Sequence, residues 1–201
     1  MLCQITKMTG RPKIYDERDV VEKAQRLFWE KGYTATSTEE ILEAMGIGRG
    51  SFYLAFQGGK KELFEKAVRQ FHQESFAAFG KAIRNSSDPI EPIREFFRNI
   101  ARGNEHRHQL GCFVGNTIME MALLDTVREQ EAILYLKEVE QLFCTTIKKA
   151  QADGGLKTTM APELLARHLI TLWNGLNITR RMYPDNTKLK ALIDMQLEIL
   201  H

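Results

Sequence analysis

Five residues in one short stretch have the side chains to read a hydrogen-bonding surface. Arg49, Gly50, Ser51, Tyr53 and Leu54 fall within RGSFYLAF, where Phe52 and Phe56 stand one helical turn apart with Ala55 beside them. Residues three and four apart share a helix face. The two phenylalanines therefore form an apolar back, and Gly50, Tyr53 and Leu54 form a small front flanked by Arg49 and Ser51. A front of that size can enter a major groove, with Arg and Ser at base edges and Tyr at phosphate. A helical hairpin inside a bundle uses the same ingredients, and spacing alone leaves both readings open.

The element that must position this helix lies just before it. Ser37 is followed three residues later by Glu40, the spacing of a capping box, and Ile41, Leu42 and Met45 supply an apolar stripe. Gly46 stands where a helix commonly ends on a left-handed residue, and Ile47 is a lone apolar residue expected to turn inward. Two short helices joined by a tight turn make a helix-turn-helix unit. The amides at the start of its first helix favour anions, which makes Ser37 and Thr38 candidates for phosphate contact.

The ordered set Thr36-Ser37-Thr38, Ile41-Leu42, Met45-Gly46-Ile47, Gly50-Ser51-Phe52-Tyr53 and Phe56, followed by lysines and Leu63, resembles the DNA-binding domain of the TetR family of bacterial transcriptional repressors from about Asp16 to Phe71. Two positions depart from the pattern. Leu42 occupies a place usually held by a small residue. The connection Phe56-Gln57-Gly58-Gly59-Lys60 is one residue longer than usual, so the family's phosphate-binding lysine maps on Lys60 if the loop bulges, with Lys61 as the alternative. The motif Gly111-Cys112-Phe113 with Asn116 is similar to the effector domain of one branch of that family. The resemblance implies a repressor that binds an inverted-repeat operator in double-stranded DNA as a homodimer and is released by a small-molecule effector.

Composition neither adds to the DNA reading nor opposes it. Through residue 66 there are eleven basic and ten acidic side chains, so a basic surface must come from arrangement. Lys7, Arg11 and Lys13 form a candidate basic arm, and Arg49, Lys60 and Lys61 cluster around the front helix. Three scattered cysteines, Cys3, Cys112 and Cys144, argue against a disulfide framework or a zinc site. His106 and His108 are expected to be solvent-exposed in a polar loop, and Cys112 to be a small buried hydrophobe. The absence of an apolar run of spanning length, and of a secretory signal, gives a cytoplasmic expectation and no membrane partner.

The remaining chain reads as amphipathic helices broken at Gly32, at 85–89, near Gly103, at Gly154-Gly155 and at Pro184, with no strand-like alternation. The expected fold is all-α: a basic arm over 1–15, a helix-turn-helix domain over 16–60 and a helical effector-binding and dimerisation domain over 61–201. Bulky or polarisable residues with polar groups among them nominate Phe97, Phe113, Met119, Phe143, His168, Trp173 and Asn177 as pocket residues. Leu169, Trp173, Leu176, Leu192, Met195 and Leu200 exceed what a small monomer core should need, and a dimer interface of the last two helices is their expected use. No metal site, cofactor or catalytic constellation stands out. A ligand-independent, chromosome-organising protein of the same fold is the alternative to the repressor.

Overall fold

The computed structural model describes residues 15–183 and 185–201, and these form ten α-helices joined by short turns. The basic arm residues Lys7, Arg11 and Lys13 lie outside the described residues. Helix α1 (Glu17–Lys31) starts on Asp16, whose carboxylate accepts from the Arg18 amide, and ends on Gly32 at φ 82°. Helix α2 (Thr38–Met45) has the full capping box: the Ser37 hydroxyl accepts from the Glu40 amide while the Glu40 carboxylate accepts from the Ser37 amide. It ends on Gly46 in the left-handed region, where an L side chain is strained. Helix α3 (Arg49–Ala55) follows the turn.

The long α4 (Gly59–Asn85) runs from this head into the body. Gly59 sits at φ 63°, and its amide donates to the Phe56 carbonyl, which absorbs the extra loop residue and places Lys60 second in α4. The body comprises α5 (Glu91–Arg98) with a 3-10 turn over Asn99–Arg102, α6 (Glu105–Leu110), α7 (Phe113–Met121), α8 (Thr126–Ala152), α9 (Pro162–Met182) and α10 (Asn186–Leu197) with a closing 3-10 turn. The polar run 104–109, expected as a loop, is therefore a helix. Asn104 caps it by accepting from the Arg107 amide, a local signal that the polarity of the run obscured.

Two apolar cores are linked by a smaller cluster around Cys112, Val114 and Ala132. The head core joins Val20, Val21, Phe28, Ile41, Phe52, Phe56, Leu63 and Phe64, and it also takes in Phe113 and Met121 from α7. The body core joins α5, α8, α9 and α10 through residues such as Phe97, Phe143, Leu169, Leu176 and Ile193. The surplus read from α9 and α10 is mostly this core. Leu169, Leu176 and Leu200 are fully or almost fully buried, Trp173 and Leu192 are partly buried, and Met195 alone of that set is exposed. The width of an apolar face does not distinguish a neighbour in the same chain from a second copy. Among the described residues, the exposed apolar side chains of α8 and α9 are Val127 and Leu134 on α8 and Leu164, Ile178 and Met182 on α9.

Candidate nucleic-acid interface

Helix α3 is divided as its sequence requires. Phe52 and Phe56 are fully buried in the head core, and burying a phenylalanine contributes about 1.5–3 kcal/mol. Arg49, Gly50, Ser51, Tyr53 and Leu54 are all exposed on the other side. Leu54 is 81% exposed, a cost that a bound surface would remove. Tyr53 packs its ring edge-on against Phe52 at 5.0 Å and stays 45% exposed. The site is thus a small exposed helix face fixed by an aromatic back.

Charge around that face is arranged rather than abundant. Arg49 pairs with Glu39 from the first turn of α2, which holds the guanidinium at the edge of the front. Lys31 pairs with Glu40, and together with the capping bonds from Ser37 this pulls the Glu40 pKa down to about 2. Lys60 sits with its ammonium 4.4 Å above the Tyr33 ring, and burial lowers its pKa. Lys61 is held by Asp125, the cap of α8, at 2.7 Å. Of the two lysines, Lys60 has no carboxylate within ion-pair distance among the described residues.

Ser37 and Thr38 stand at the start of α2, where unpaired amides favour an anion. The Ser37 hydroxyl donates to Glu40 at 2.9 Å, so its proton is committed inside the protein. Thr38 and the first-turn amides are left with donor capacity.

The body grips the head through α7. The Glu120 carboxylate accepts from the backbone amides of Tyr33 and Thr34 at 2.8 and 2.7 Å. At Gly32, between α1 and these amides, an added Cβ would stand 3.1 Å from the same carboxylate. Trp29 of α1 donates to the Leu110 carbonyl, stacks on Phe113 and meets Phe71 edge-on at 5.0 Å.

Behind Phe71 lies a cavity of about 310 Å³ between α4, α5, α6, α7 and α9. Trp173 and Asn177 line it, together with Phe96, Arg107, Cys112 and Arg180, of which Arg107 and Arg180 went unnoticed in the sequence. The other nominated pocket residues are dispersed. Phe97 and Phe143 are fully buried core, because their faces of α5 and α8 close against each other at a centroid distance of 6.2 Å. Phe113 packs into the head core and lines a hollow at the head–body seam. Met119 is 79% exposed and borders a surface hollow with Asn177 and Ile178. His168 lines none of these cavities, and its buried Nε2 has no hydrogen-bond partner.

Of the two histidines of α6, only His108 differs from expectation, and for the same tertiary reason. His106 is exposed, but His108 is buried and bonded to Asn186 of α10 at 2.9 Å. Cys112 is buried, and that burial pushes its thiol pKa up. Among the described residues no group of three or more histidine, cysteine or acidic side chains is placed to hold a metal ion, and no helix is long and apolar enough to cross a membrane.

Comparison with known proteins agrees with this geometry. Residues 20–67 match the family model for bacterial regulatory proteins of the tetR family, and residues 89–195 match the model for the tetracyclin repressor-like C-terminal domain. The chain is 26% identical over 182 residues to the transcriptional repressor DhaR of Mycobacterium sp. strain GP1, covering 90% of each. It is 30% identical over 161 residues to the transcriptional regulator AcuR of Cereibacter sphaeroides, covering 78% of this chain and 73% of the relative. A solved structure of the TetR family regulator CifR, a cysteine-substituted form complexed with 26-base-pair operator DNA, superposes with a TM-score of 0.77 at 25% identity, covering 94% of this chain and 98% of that one. With a capped helix-turn-helix, an exposed recognition face and matches that span both halves, the chain belongs to the TetR family of bacterial transcriptional regulators.

Proposed function

We propose that this chain is a homodimeric transcriptional repressor that binds an inverted-repeat operator and is released from it by a small molecule. The observation that carries the reading is the α3 front: five exposed residues of groove-reading type on a helix whose back is fully buried. Arg49, Gly50, Ser51 and Leu54 face base edges. Tyr53, Lys60 and Thr38 contact phosphate, with Ser37 acting first as the cap that presents the α2 amides.

A basic arm over 1–15, a DNA-binding head over 16–60 and an effector-binding and dimerisation body over 61–201 are the working parts. The exposed apolar residues Leu134, Leu164, Ile178 and Met182 on α8 and α9 form the dimer surface. Two heads on a two-fold axis then meet successive major grooves about 34–36 Å apart. Release follows from the shared wall at Phe71, which lines the cavity and also touches Trp29 of α1. An effector that fits the cavity better in one body arrangement shifts the heads by its differential affinity. The relatives named above are regulators, and no catalytic role is assigned to the chain.

The test places an operator selected by the protein between a promoter and a reporter gene. Expression is expected to fall when the chain is supplied. Unchanged expression contradicts repression, and increased expression makes the chain an activator.

A further inference from the structure

The cavity behind Phe71 contains a charge that the protein does not balance. Arg180 of α9 is only 6% exposed and lines the cavity wall. Its Nη2 donates to the Asn177 side chain at 3.1 Å, while its buried Nε has no hydrogen-bond partner. Among the described residues no carboxylate lies within ion-pair distance of it. Burial is the main cause that lowers its pKa; the Cys112 thiol on the same wall opposes the shift, and Arg107 and Arg181 add repulsion. Arg181 donates to the Gln109 carbonyl, and Arg107 lies over the Trp29 ring at 4.5 Å, so both added positive charges are held nearby. Withdrawing a guanidinium from water without a counter-charge costs several kcal/mol, and buried charges are ordinarily paired.

The rest of the cavity says what the missing partner looks like. Phe71, Phe96, Ile100 and Trp173 form apolar walls, with Phe96 edge-on to Trp173 at 4.8 Å. Asn99 and Asn177 add neutral hydrogen-bonding groups beside the arginine. The guanidinium fork matches the two oxygens of a carboxylate, and aromatic walls suit an unsaturated or aliphatic body rather than a bare inorganic anion. The volume of about 310 Å³ falls at the small end of ligand sites.

We infer that the effector is a small monocarboxylic acid with an apolar body, its carboxylate paired with Arg180 and its body held among Phe71, Phe96, Ile100 and Trp173. This assignment rests on the effector-release reading above and names the class of molecule that the reading requires. The carboxylate pairs with the guanidinium and supplies the absent counter-charge. Its binding presses on Phe71 and, through it, on Trp29 of the head.

The experiment uses 3-phenylpropanoate and its neutral isostere 3-phenylpropanamide on the full chain, with binding read by calorimetry and operator release by fluorescence anisotropy. The acid is expected to bind on the order of ten-fold or more tighter than the amide, as a charge-assisted pair requires. Arg180→Gln should bring the two affinities together, and Arg180→Lys should keep part of the preference because it keeps the charge. The acid–amide comparison on the unsubstituted protein needs no variant to fold. Equal binding of acid and amide overturns the carboxylate assignment and leaves effector control intact. Binding of neither compound at millimolar concentration overturns the assignment as well. Preferred binding of the acid without operator release upholds the site and refutes the release reading.

Discussion

Arg49 and Tyr53 occupy neighbouring places on α3 and are expected to do different work. Arg49 is paired with Glu39 at the edge of the exposed α3 front, from which a guanidinium can fork onto a guanine. Arg49→Ala should therefore narrow the difference in affinity between a selected operator and its point variants, by about 1–3 kcal/mol at the base pair it reads. Uniform weakening across all sequences would make it a phosphate contact. Tyr53 is anchored on Phe52 and exposed on the α3 front, so Tyr53→Phe should weaken binding with little change in sequence preference, and unchanged affinity would remove it from the interface. Glu40 offers a test in pH. Its pKa is depressed from 4.5 to about 2 by Lys31 and Ser37, so the stability it adds is present above about pH 4.5 and is lost as pH falls toward 2. The melting temperatures of the unsubstituted protein and Glu40→Ala should differ at neutral pH and converge on acidification through that window.

At the scale of elements, the proposed release depends on α7. It starts on Cys112 at the cavity and places Phe113 and Met121 in the head core. Near its end, Glu120 holds the amides of Tyr33 and Thr34. Glu120→Ala should raise hydrogen exchange at those two amides without unfolding α2 and should reduce the effect of effector on operator affinity. Retained protection would place the coupling elsewhere. The elements themselves were largely legible from local chemistry. Asp16, Ser37 with Glu40, Gly32, Gly46 and Asp125 all mark helix ends where the structure has them, because caps and left-handed glycines are decided within a few residues. What could not be read locally depended on distant partners. His108 is buried because Asn186, seventy-eight positions later, receives it, and Arg180 stands out only once the fold shows no acid beside it. Phe97 and Phe143 carried the same aromatic signature as Trp173, and only packing separates core from cavity wall.

Across the whole molecule, the proposed dimer surface is the exposed apolar face of α8 and α9. Ile178 is 69% exposed on α9 and lies on the same helix as Leu164 and Met182. Ile178→Asp should convert the dimer to a monomer in sedimentation and lower operator affinity at least ten-fold, since one head then binds without its two-fold mate. A dimer that persists would move the interface off α9. The head carries nearly balanced charge, so binding depends on where the cations stand and on two heads acting together. The most direct test is selection of bound duplexes from a random pool by the full chain at a stated, moderate salt concentration. An enriched inverted repeat, with half-site centres about one helical turn apart or a multiple of it, is the result expected of two α3 fronts on a two-fold axis. A pool that emerges without any enriched sequence, from protein that still binds DNA, would contradict sequence-specific recognition by that face.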